Sequence, residues 1–185
     1  LEQNLIVEIK TTETPTNILD IASQNKFTKA IYATLNGVYR MSPDVEGLVE
    51  TSNNIAKITV ESGEIKILCL TRSSSETNKW DLANAIRAAF ELANFTVDFS
   101  GSYPGWLPNM NSSILKVVES SYIKLFKDQP HVAACHAGLE CGILGENYPE
   151  MEMISFGPNI KSAHSPDERA QISSTQKFWK LLLEV

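Results

Sequence analysis

The chain has 185 residues, of which 43% are hydrophobic and 21% are charged. This length allows one large domain or two small ones, and the composition is that of an ordinary globular protein that buries a core. The net charge of −6 leaves no basic stripe for neutralising phosphates, and no apolar run reaches about 18 residues, so neither nucleic acid nor a membrane is expected as a partner.

Residues 5–99 alternate between strand-like and helix-like patterns. Short runs of β-branched residues predict strands, and apolar residues spaced three and four apart predict helices. The expected elements, in chain order, are a strand at Leu5–Ile9, a helix starting at Thr14-Pro15 and closed by Asn36-Gly37, a loop from Met41 towards Glu50, strands at Ile55–Val60 and Ile65–Leu70 around a turn at Glu61–Glu64, a helix with its apolar face from Leu82 to Ala93, and a strand at Phe95–Phe99. The order strand, helix, strand, strand, helix, strand is the ferredoxin-like βαββαβ pattern.

A stretch rich in glycine and proline at residues 100–109 is the expected domain boundary. After it we expect, in chain order, a helix at Ser113–Phe126, a buried strand at Val132–Cys135, a short helix from Gly138 to Leu144, a strand at Met151–Phe156 and an amphipathic helix from Ala170 to the end. Two strands are too few for a stable parallel sheet, so the rest of that sheet is expected in sequence outside this chain. We therefore predict a mixed α+β and α/β fold.

His164 is the strongest candidate for a metal ligand. It lies in a predicted loop after a strand and before a helix, and imidazole is the commonest metal-binding side chain. The competing interpretation is a solvated or capped loop residue. Asp167 and Glu168 follow at once, but they fit equally well as acidic residues in the first turn of the last helix.

Two further places carry polar groups that suit a small ligand. The corner from His136 through Gly138 to Glu140 exposes backbone N–H groups suited to an anion, and Glu140 suits a cation or an amine. Arg72 leaves a strand end, where its fork-shaped guanidinium is able to hold a carboxylate, and Asn54 supplies an amide. The competing interpretations are tight packing at the corner, a surface arginine, and an asparagine that forms a turn.

The cysteines and the first residue bear on the origin of the chain. An odd count of three cysteines without a Cys-x-x-Cys pair predicts reduced thiols and a cytoplasmic location. The chain opens on Leu1 without a methionine, and we interpret that start as a cut inside a longer protein.

Several motifs, taken in order, resemble the Xaa-His dipeptidases, which are also called aminoacyl-histidine or cytosol non-specific dipeptidases. The motifs are Val49-Glu50-Thr51-Ser52-Asn53-Asn54, Cys69-Leu70-Thr71-Arg72-Ser73, Tyr103-Pro104-Gly105-Trp106, His136-Ala137-Gly138-Leu139-Glu140-Cys141-Gly142, Ser155-Phe156-Gly157-Pro158 and His164-Ser165-Pro166-Asp167-Glu168. The resemblance runs from about Phe27 to the C-terminus. A series of motifs in the right order is far more specific than any one of them.

The resemblance implies a zinc metallopeptidase with an α/β catalytic domain and an inserted lid domain. Residues 1–101 would belong to the ferredoxin-like lid, residues 102–109 to a hinge, and residues 110–185 to the C-terminal segment of the catalytic domain. The missing N-terminal catalytic segment would supply most zinc ligands, the bridging aspartate and the glutamate that acts as general base. The fragment alone is therefore expected to be inactive.

The resemblance also implies roles for single residues. His164 matches a zinc ligand of a site that holds two zinc ions in the whole subunit. Arg72 and Asn54 match lid residues that hold the substrate carboxylate, and Gly138 and Glu140 face the substrate by position. The implied partners are a dipeptide substrate, the missing catalytic segment and a second copy of the chain.

A second class of function stays open at this point. A non-enzymatic ferredoxin-like module that dimerises or binds a small ligand accounts for the pattern up to residue 99. It does not account for the loop that carries His164.

Overall fold

A computed structural model describes residues 6–134 and 140–185. Its elements, in chain order, are α1 Ile21–Ala33, β1 Gly37–Met41, β2 Val49–Glu61, β3 Glu64–Ser73, α2 Glu76–Leu92, α3 Ser113–Phe126, α4 Glu140–Asn147, β4 Ile160–Lys161, β5 Arg169–Ala170 and α5 Ile172–Glu184. The predicted mixture of helices and antiparallel strands is confirmed.

The main sheet is antiparallel, with the strand order β1-β2-β3. β2 and β3 form a hairpin whose turn is Ser62-Gly63, with φ angles of 52° and 83°. Two successive left-handed residues make the turn type that matches the twist of antiparallel strands, and glycine adopts that conformation without steric cost. The predicted turn at Glu61–Glu64 is therefore in the right place.

The start and the end predicted for the first helix are both wrong. α1 begins at Ile21 because the Asp20 carboxylate accepts the Ser23 N–H at 3.0 Å, which makes Asp20 the N-cap. The side-chain and backbone hydrogen bonds from Ser23 also lower the pKa of Asp20. At the other end Gly37 has a φ of 110° and opens β1 instead of closing the helix.

The core lies between one face of the sheet and helices α1 and α2. Ala30, Leu82, Ile86 and Phe90 form a buried cluster. Partly buried side chains from α1, from β3 and from the segments after α1 and α2 pack against it: Ile31, Leu35, Ile67, Cys69, Ala93, Phe95 and Val97. Burial raises the pKa of the Cys69 thiol, so it stays protonated as a small apolar group at neutral pH. The opposite face of β3 is exposed.

Four predicted strands are not strands in the described residues. They are residues 6–9, 95–99, 132–134 and 151–156, while Leu5 and Cys135 lie outside the described ranges. A strand is defined by its ladder, and the part of the chain described here offers these segments no ladder partner. Conversely, residues 37–41 form β1 because they pair with β2, where the sequence predicted a helix cap at Gly37 and a loop from Met41.

The second part of the chain is held mainly by helix contacts. Leu115 and Val118 of α3 and Leu181 of α5 are its buried apolar residues in the described ranges. The N-terminus of α3 is capped by Glu152, whose carboxylate accepts the Ser113 N–H at 3.0 Å. The side-chain hydrogen bond from the Ser113 hydroxyl and this backbone hydrogen bond lower the pKa of Glu152.

Candidate functional site

Arg72 and Asn54 lie on the same face of the sheet, on neighbouring strands. Arg72 pairs with Ser52, and Asn54 pairs with Leu70. Residues paired across antiparallel strands point to the same face, so Arg72 and Asn54 are diagonal neighbours, about 7–8 Å apart at their Cα atoms. Both side chains are exposed, and α1 and α2 cover the other face. The two side chains therefore face the same open side of the sheet.

A buried polar cluster holds the strand ends beneath Arg72. The Thr51 and Ser73 hydroxyls are hydrogen-bonded at 2.8 Å. Asn53 donates to the Leu35 carbonyl at 2.7 Å and accepts from the Thr71 hydroxyl at 3.0 Å. These residues lie on the helix side of the same strands, so they fix the backbone that carries Arg72.

Glu50, the neighbour of Thr51 in β2, is a buried residue whose role the sequence did not reveal. Its side chain is buried and accepts from Asn78 at 2.6 Å and from Arg40 Nε at 3.0 Å. Its carbonyl accepts the Ser74 N–H at 3.1 Å. A carboxylate buried in this way needs such partners, and here they tie β1, β2 and α2 together. The predicted strand began only at Ile55, whereas β2 begins at Val49, so the sequence predicted no element in which to place Glu50.

His164 lies in the loop of the β4–β5 hairpin and is exposed. Its φ is 65°, and its N–H donates to the Glu168 carboxylate at 2.7 Å. The Ser165 hydroxyl donates to the Ser162 carbonyl at 2.8 Å, which closes the same loop. The alternative that placed Glu168 in the first turn of a helix is wrong, because α5 begins at Ile172 and the Glu168 carboxylate is engaged inside the loop.

The predicted ligand-binding corner from His136 to Glu140 lies only partly within the described residues. Glu140 is the first residue of α4 and is exposed, whereas His136 and Gly138 lie outside the described ranges. Over residues 6–134 and 140–185, no group of three or more histidine, cysteine, aspartate or glutamate side chains is arranged to hold a metal ion. A zinc site needs three or four ligands, so the described residues around His164 do not form one by themselves.

Residues 103–105 connect the sheet to the second part of the chain. Lys79 is 8% exposed, and its ammonium donates to the Tyr103 carbonyl at 2.7 Å and lies 2.8 Å from the Glu76 carboxylate. Glu76 also accepts from Trp80 Nε1 at 2.8 Å. Burial pushes the pKa of Glu76 up, but the hydrogen bonds from Lys79 and Trp80 outweigh it and lower that pKa.

Two glycines allow close backbone packing at this connection. A Cβ on Gly105 would lie 2.4 Å from the Ser74 carbonyl oxygen, and one on Gly142 would lie 2.6 Å from the Pro104 carbonyl oxygen. The end of β3, which carries Arg72, is thus joined through residues 103–105 to α4, which begins at Glu140. This connection fixes the position of Arg72 relative to Glu140.

No helix among the described residues is long and apolar enough to cross a membrane.

Comparison with known proteins matches all or most of this chain to part of longer proteins. No family model matches it. It is 37% identical over 184 residues to the cytosol non-specific dipeptidase of Escherichia coli (strain K12), which covers 100% of this chain and 38% of that protein. It is 22% identical over 142 residues to the succinyl-diaminopimelate desuccinylase of Nitratiruptor sp., covering 77% of this chain and 37% of that protein.

Solved structures also match this chain to part of a longer dipeptidase. The crystal structure of aminoacylhistidine dipeptidase from Vibrio alginolyticus matches with a TM-score of 0.81 and 41% identity, covering 94% of this chain and 35% of that one. Aminopeptidase PepT from Bacillus cereus ATCC 10987 matches with a TM-score of 0.69 at 15% identity, covering 87% of this chain and 43% of that one, which shows a shared fold. The chain spans little more than a third of the length of the dipeptidases that it matches.

Proposed function

Because this chain is homologous over its full length to part of the cytosol non-specific and aminoacylhistidine dipeptidases, as its motifs predicted, we propose that the protein containing it hydrolyses dipeptides, Xaa-His among them. The observation that carries the proposal is the match at 37% identity across 184 residues. We further propose a cytoplasmic location, the compartment that the name of the Escherichia coli cytosol non-specific dipeptidase gives for that protein. Residues 1–101, 102–109 and 110–185 are then part of a lid, a hinge and the last catalytic segment.

His164 would contribute one ligand to a zinc site completed by residues outside this chain. Its backbone is fixed by the Glu168 carboxylate while its ring stays exposed, so the ring is free to meet a metal ion. A bound zinc ion supplies water activation near neutral pH and polarisation of the scissile carbonyl. A second such ion, and the glutamate that takes the proton from water, would likewise come from the rest of the protein.

Arg72 and Asn54 would hold the free carboxylate of the dipeptide. Their shared open face offers a guanidinium fork and an amide on adjacent strands, and charge-assisted bidentate contacts are the strong ones. The buried cluster around Glu50 and Thr51 keeps this arrangement rigid, so orientation of the substrate is set before the reaction. Gly138 and Glu140 would face the other part of the substrate.

The metal role is tested by His164→Ala in the longer protein, with His131→Ala as the control. His131 is also exposed and lies outside any helix or strand. We expect His164→Ala to lower both zinc content and kcat while the circular dichroism spectrum stays unchanged. We expect His131→Ala to change neither zinc content nor kcat. Full zinc occupancy by elemental analysis in the His164→Ala protein contradicts the ligand role.

The carboxylate role is tested by Arg72→Ala in the same longer protein. Removing one partner of a desolvated charge pair costs about 2–5 kcal/mol, and the exposure of Arg72 in this chain places the loss at the lower end. We expect KM to rise for free dipeptides and to change little for amidated ones. Lys66→Ala is the matched control, because Lys66 is an exposed cation on the same strand and face. Equal impairment on both substrate types contradicts the role.

A non-enzymatic module remains the second candidate, because α1, α2 and the β1-β2-β3 sheet enclose their own buried cluster. We propose that the 185-residue chain alone is inactive, since it supplies one metal ligand, and that a second copy is a possible partner of the whole protein. Hydrolysis of carnosine by the longer protein separates the two candidates. If the longer protein folds and binds zinc but hydrolyses no dipeptide, the dipeptidase function is excluded and the non-enzymatic module is the candidate that is left.

A further inference from the structure

Two side chains of α2 hold residues 103–105, and we refer to Glu76 and Lys79 together as the α2 clamp. The Lys79 ammonium donates to the Tyr103 carbonyl at 2.7 Å, and the Glu76 carboxylate accepts the Gly105 N–H at 3.4 Å. The two side chains also form an ion pair with each other, at 2.8 Å. Both ends of this three-residue segment are therefore held by the first turn of one helix.

Lys79 is a buried cation at a position where an apolar side chain would serve for packing alone. Taking an ammonium out of water costs free energy, and replacing a buried ion pair by apolar side chains of similar volume is often neutral or stabilising. An apolar residue at position 79 would leave the Tyr103 carbonyl without its donor. The contribution that only Lys79 makes is thus the attachment of residues 103–105 to α2.

The turn that follows Arg72 lies between β2 and residues 103–105. On one side, the Ser74 N–H donates to the Glu50 carbonyl of β2 at 3.1 Å. On the other side, Gly105 approaches so closely that a Cβ on it would lie 2.4 Å from the Ser74 carbonyl oxygen. The backbone next to Arg72 therefore has two supports, and the α2 clamp maintains the second one.

The same three residues also support α4. A Cβ on Gly142 would lie 2.6 Å from the Pro104 carbonyl oxygen and 3.2 Å from that of Gly105. Gly142 lies in the first turn of α4, which begins at Glu140. The clamped segment is therefore a common support for α4 and for the strand end that carries Arg72.

We propose that Lys79 is a positioning residue for the substrate, which acts by holding Arg72 in place relative to α4. The proposal rests on the carboxylate role proposed above for Arg72. With the α2 clamp intact, the guanidinium meets the carboxylate of the dipeptide at one fixed place, so the same contact orients the scissile bond. Without the Lys79 ammonium, the turn after Arg72 keeps only its support from β2, and the guanidinium occupies a range of positions.

A double-mutant cycle of Lys79 and Arg72 in the longer protein tests the proposal. We expect Lys79→Met, which keeps an unbranched stem and removes the ammonium, to lower kcat/KM for Gly-His about tenfold, because displacement of an orienting contact is costly. In the Arg72→Ala background the same substitution should lower kcat/KM by less than about twofold, because residues that act through each other are not additive. It should also matter little for Gly-His amide, which has no carboxylate for Arg72 to hold.

Lys66→Met is the matched control, because Lys66 is an exposed lysine of the strand that carries Arg72. It should lower kcat/KM by less than about twofold in either background, as expected for a surface substitution. If Lys79→Met fails to fold, which its circular dichroism spectrum reveals, Glu76→Ala loosens the α2 clamp from its half-exposed side. That variant should lower kcat/KM about threefold, and only in proteins that contain Arg72.

Three outcomes contradict the proposal in different ways. An equal loss with and without Arg72 overturns it, because Lys79 then acts through the general stability of the fold. A normal rate for Lys79→Met beside an impaired Arg72→Ala protein also overturns it, and leaves the carboxylate role of Arg72 standing. An Arg72→Ala protein that is unimpaired on Gly-His removes the carboxylate role itself, and the positioning role of Lys79 with it.

Discussion

The sheet region, residues 37–92, and the helical region, residues 110–185, meet the demand for backbone pairing in different ways. In the sheet region a two-residue turn joins β2 and β3, so each strand finds its partner a few residues away. In the helical region two predicted strands, at 132–134 and 151–156, have no ladder among the described residues. α3 and α5 pair their own backbone groups and pack on each other.

The difference follows from the kind of sheet. Antiparallel hairpins are closed by short turns, whereas parallel strands need a long crossover and partners from elsewhere in the sequence. The strands of the hairpin are therefore paired within the described residues, whereas the segments 132–134 and 151–156 are not. Helices α1 and α2 accordingly bury a cluster of four apolar residues against the sheet, whereas the described part of the helical region buries Leu115, Val118 and Leu181.

The largest expected effect comes from breaking the core of the sheet region. Leu82 is 1% exposed, so Leu82→Ala leaves a cavity and should lower the free energy of unfolding by about 2–5 kcal/mol. The change in the free energy of unfolding is measured by urea denaturation. Leu92→Ala, at a position 88% exposed in the same helix, is the control and should change stability by less than about 0.5 kcal/mol. Similar losses for both would mean that the cluster is not the core.

A smaller effect is expected where the two regions meet. Gly142→Ala would place a Cβ 2.6 Å from the Pro104 carbonyl oxygen, and relieving that overlap should cost about 1–3 kcal/mol. Gly145→Ala in the same helix meets only the mobile end of Met153, at 3.2 Å, so it should gain up to about 1 kcal/mol from helix propensity. Equal melting temperatures for the two variants would show that the close contact is absent in solution.

Lys79→Ala tests the polar half of the same connection. It leaves the Tyr103 carbonyl without its donor, and we expect a loss of about 1 kcal/mol, since Glu76 is half exposed and its ion pair is screened. The measurement is chemical denaturation of the variant beside Lys66→Ala, an exposed lysine of β3. A cost no greater than that of Lys66→Ala would contradict a fixed connection.

The smallest effect concerns the cap of α3 in the helical region. The folded-state pKa of Glu152 is lowered by Ser113, so its contribution to stability is present above the unfolded pKa of about 4.3 and is lost as pH falls through the folded value. Glu152→Gln should therefore be less stable than the wild type at pH 7 and equal to it at about pH 2. Glu150→Gln, an exposed neighbour, should show no such pH dependence.

The sequence predicted those parts of the fold whose partners are local. The β2–β3 hairpin and the helices α2 and α3 were found because their apolar periods and turn residues lie within a short stretch. The start of α1 was missed because a proline after Thr14 gave a stronger signal than Asp20, whose capping contact is visible only in three dimensions. β1 was missed because it exists through pairing with β2.

The sequence was sufficient to select the candidate site residues, but it predicted only part of their spatial arrangement. The position of His164 in a loop followed from its neighbours, but its hydrogen bond to Glu168 depends on a left-handed backbone that sequence does not specify. That Asn54 and Arg72 share a face follows from the register of β2 and β3. A bulge between Ile55 and Lys57 shifts the alternation along β2, so reading faces from the sequence alone fails beyond it.

The two-residue turn at Ser62-Gly63 sets the order in which this chain folds as it leaves the ribosome. The β2–β3 pairs span at most the 22 positions between Thr51 and Ser73, whereas the α3–α5 contact of Lys124 with Glu184 spans 60. A hairpin closes in about 1–10 μs, and synthesis adds about 5–20 residues per second. The hairpin is thus complete roughly 6–20 seconds before the last residue of α5 is made. Residues 110–185 are added to a chain in which β2 and β3 are already complete and able to pair.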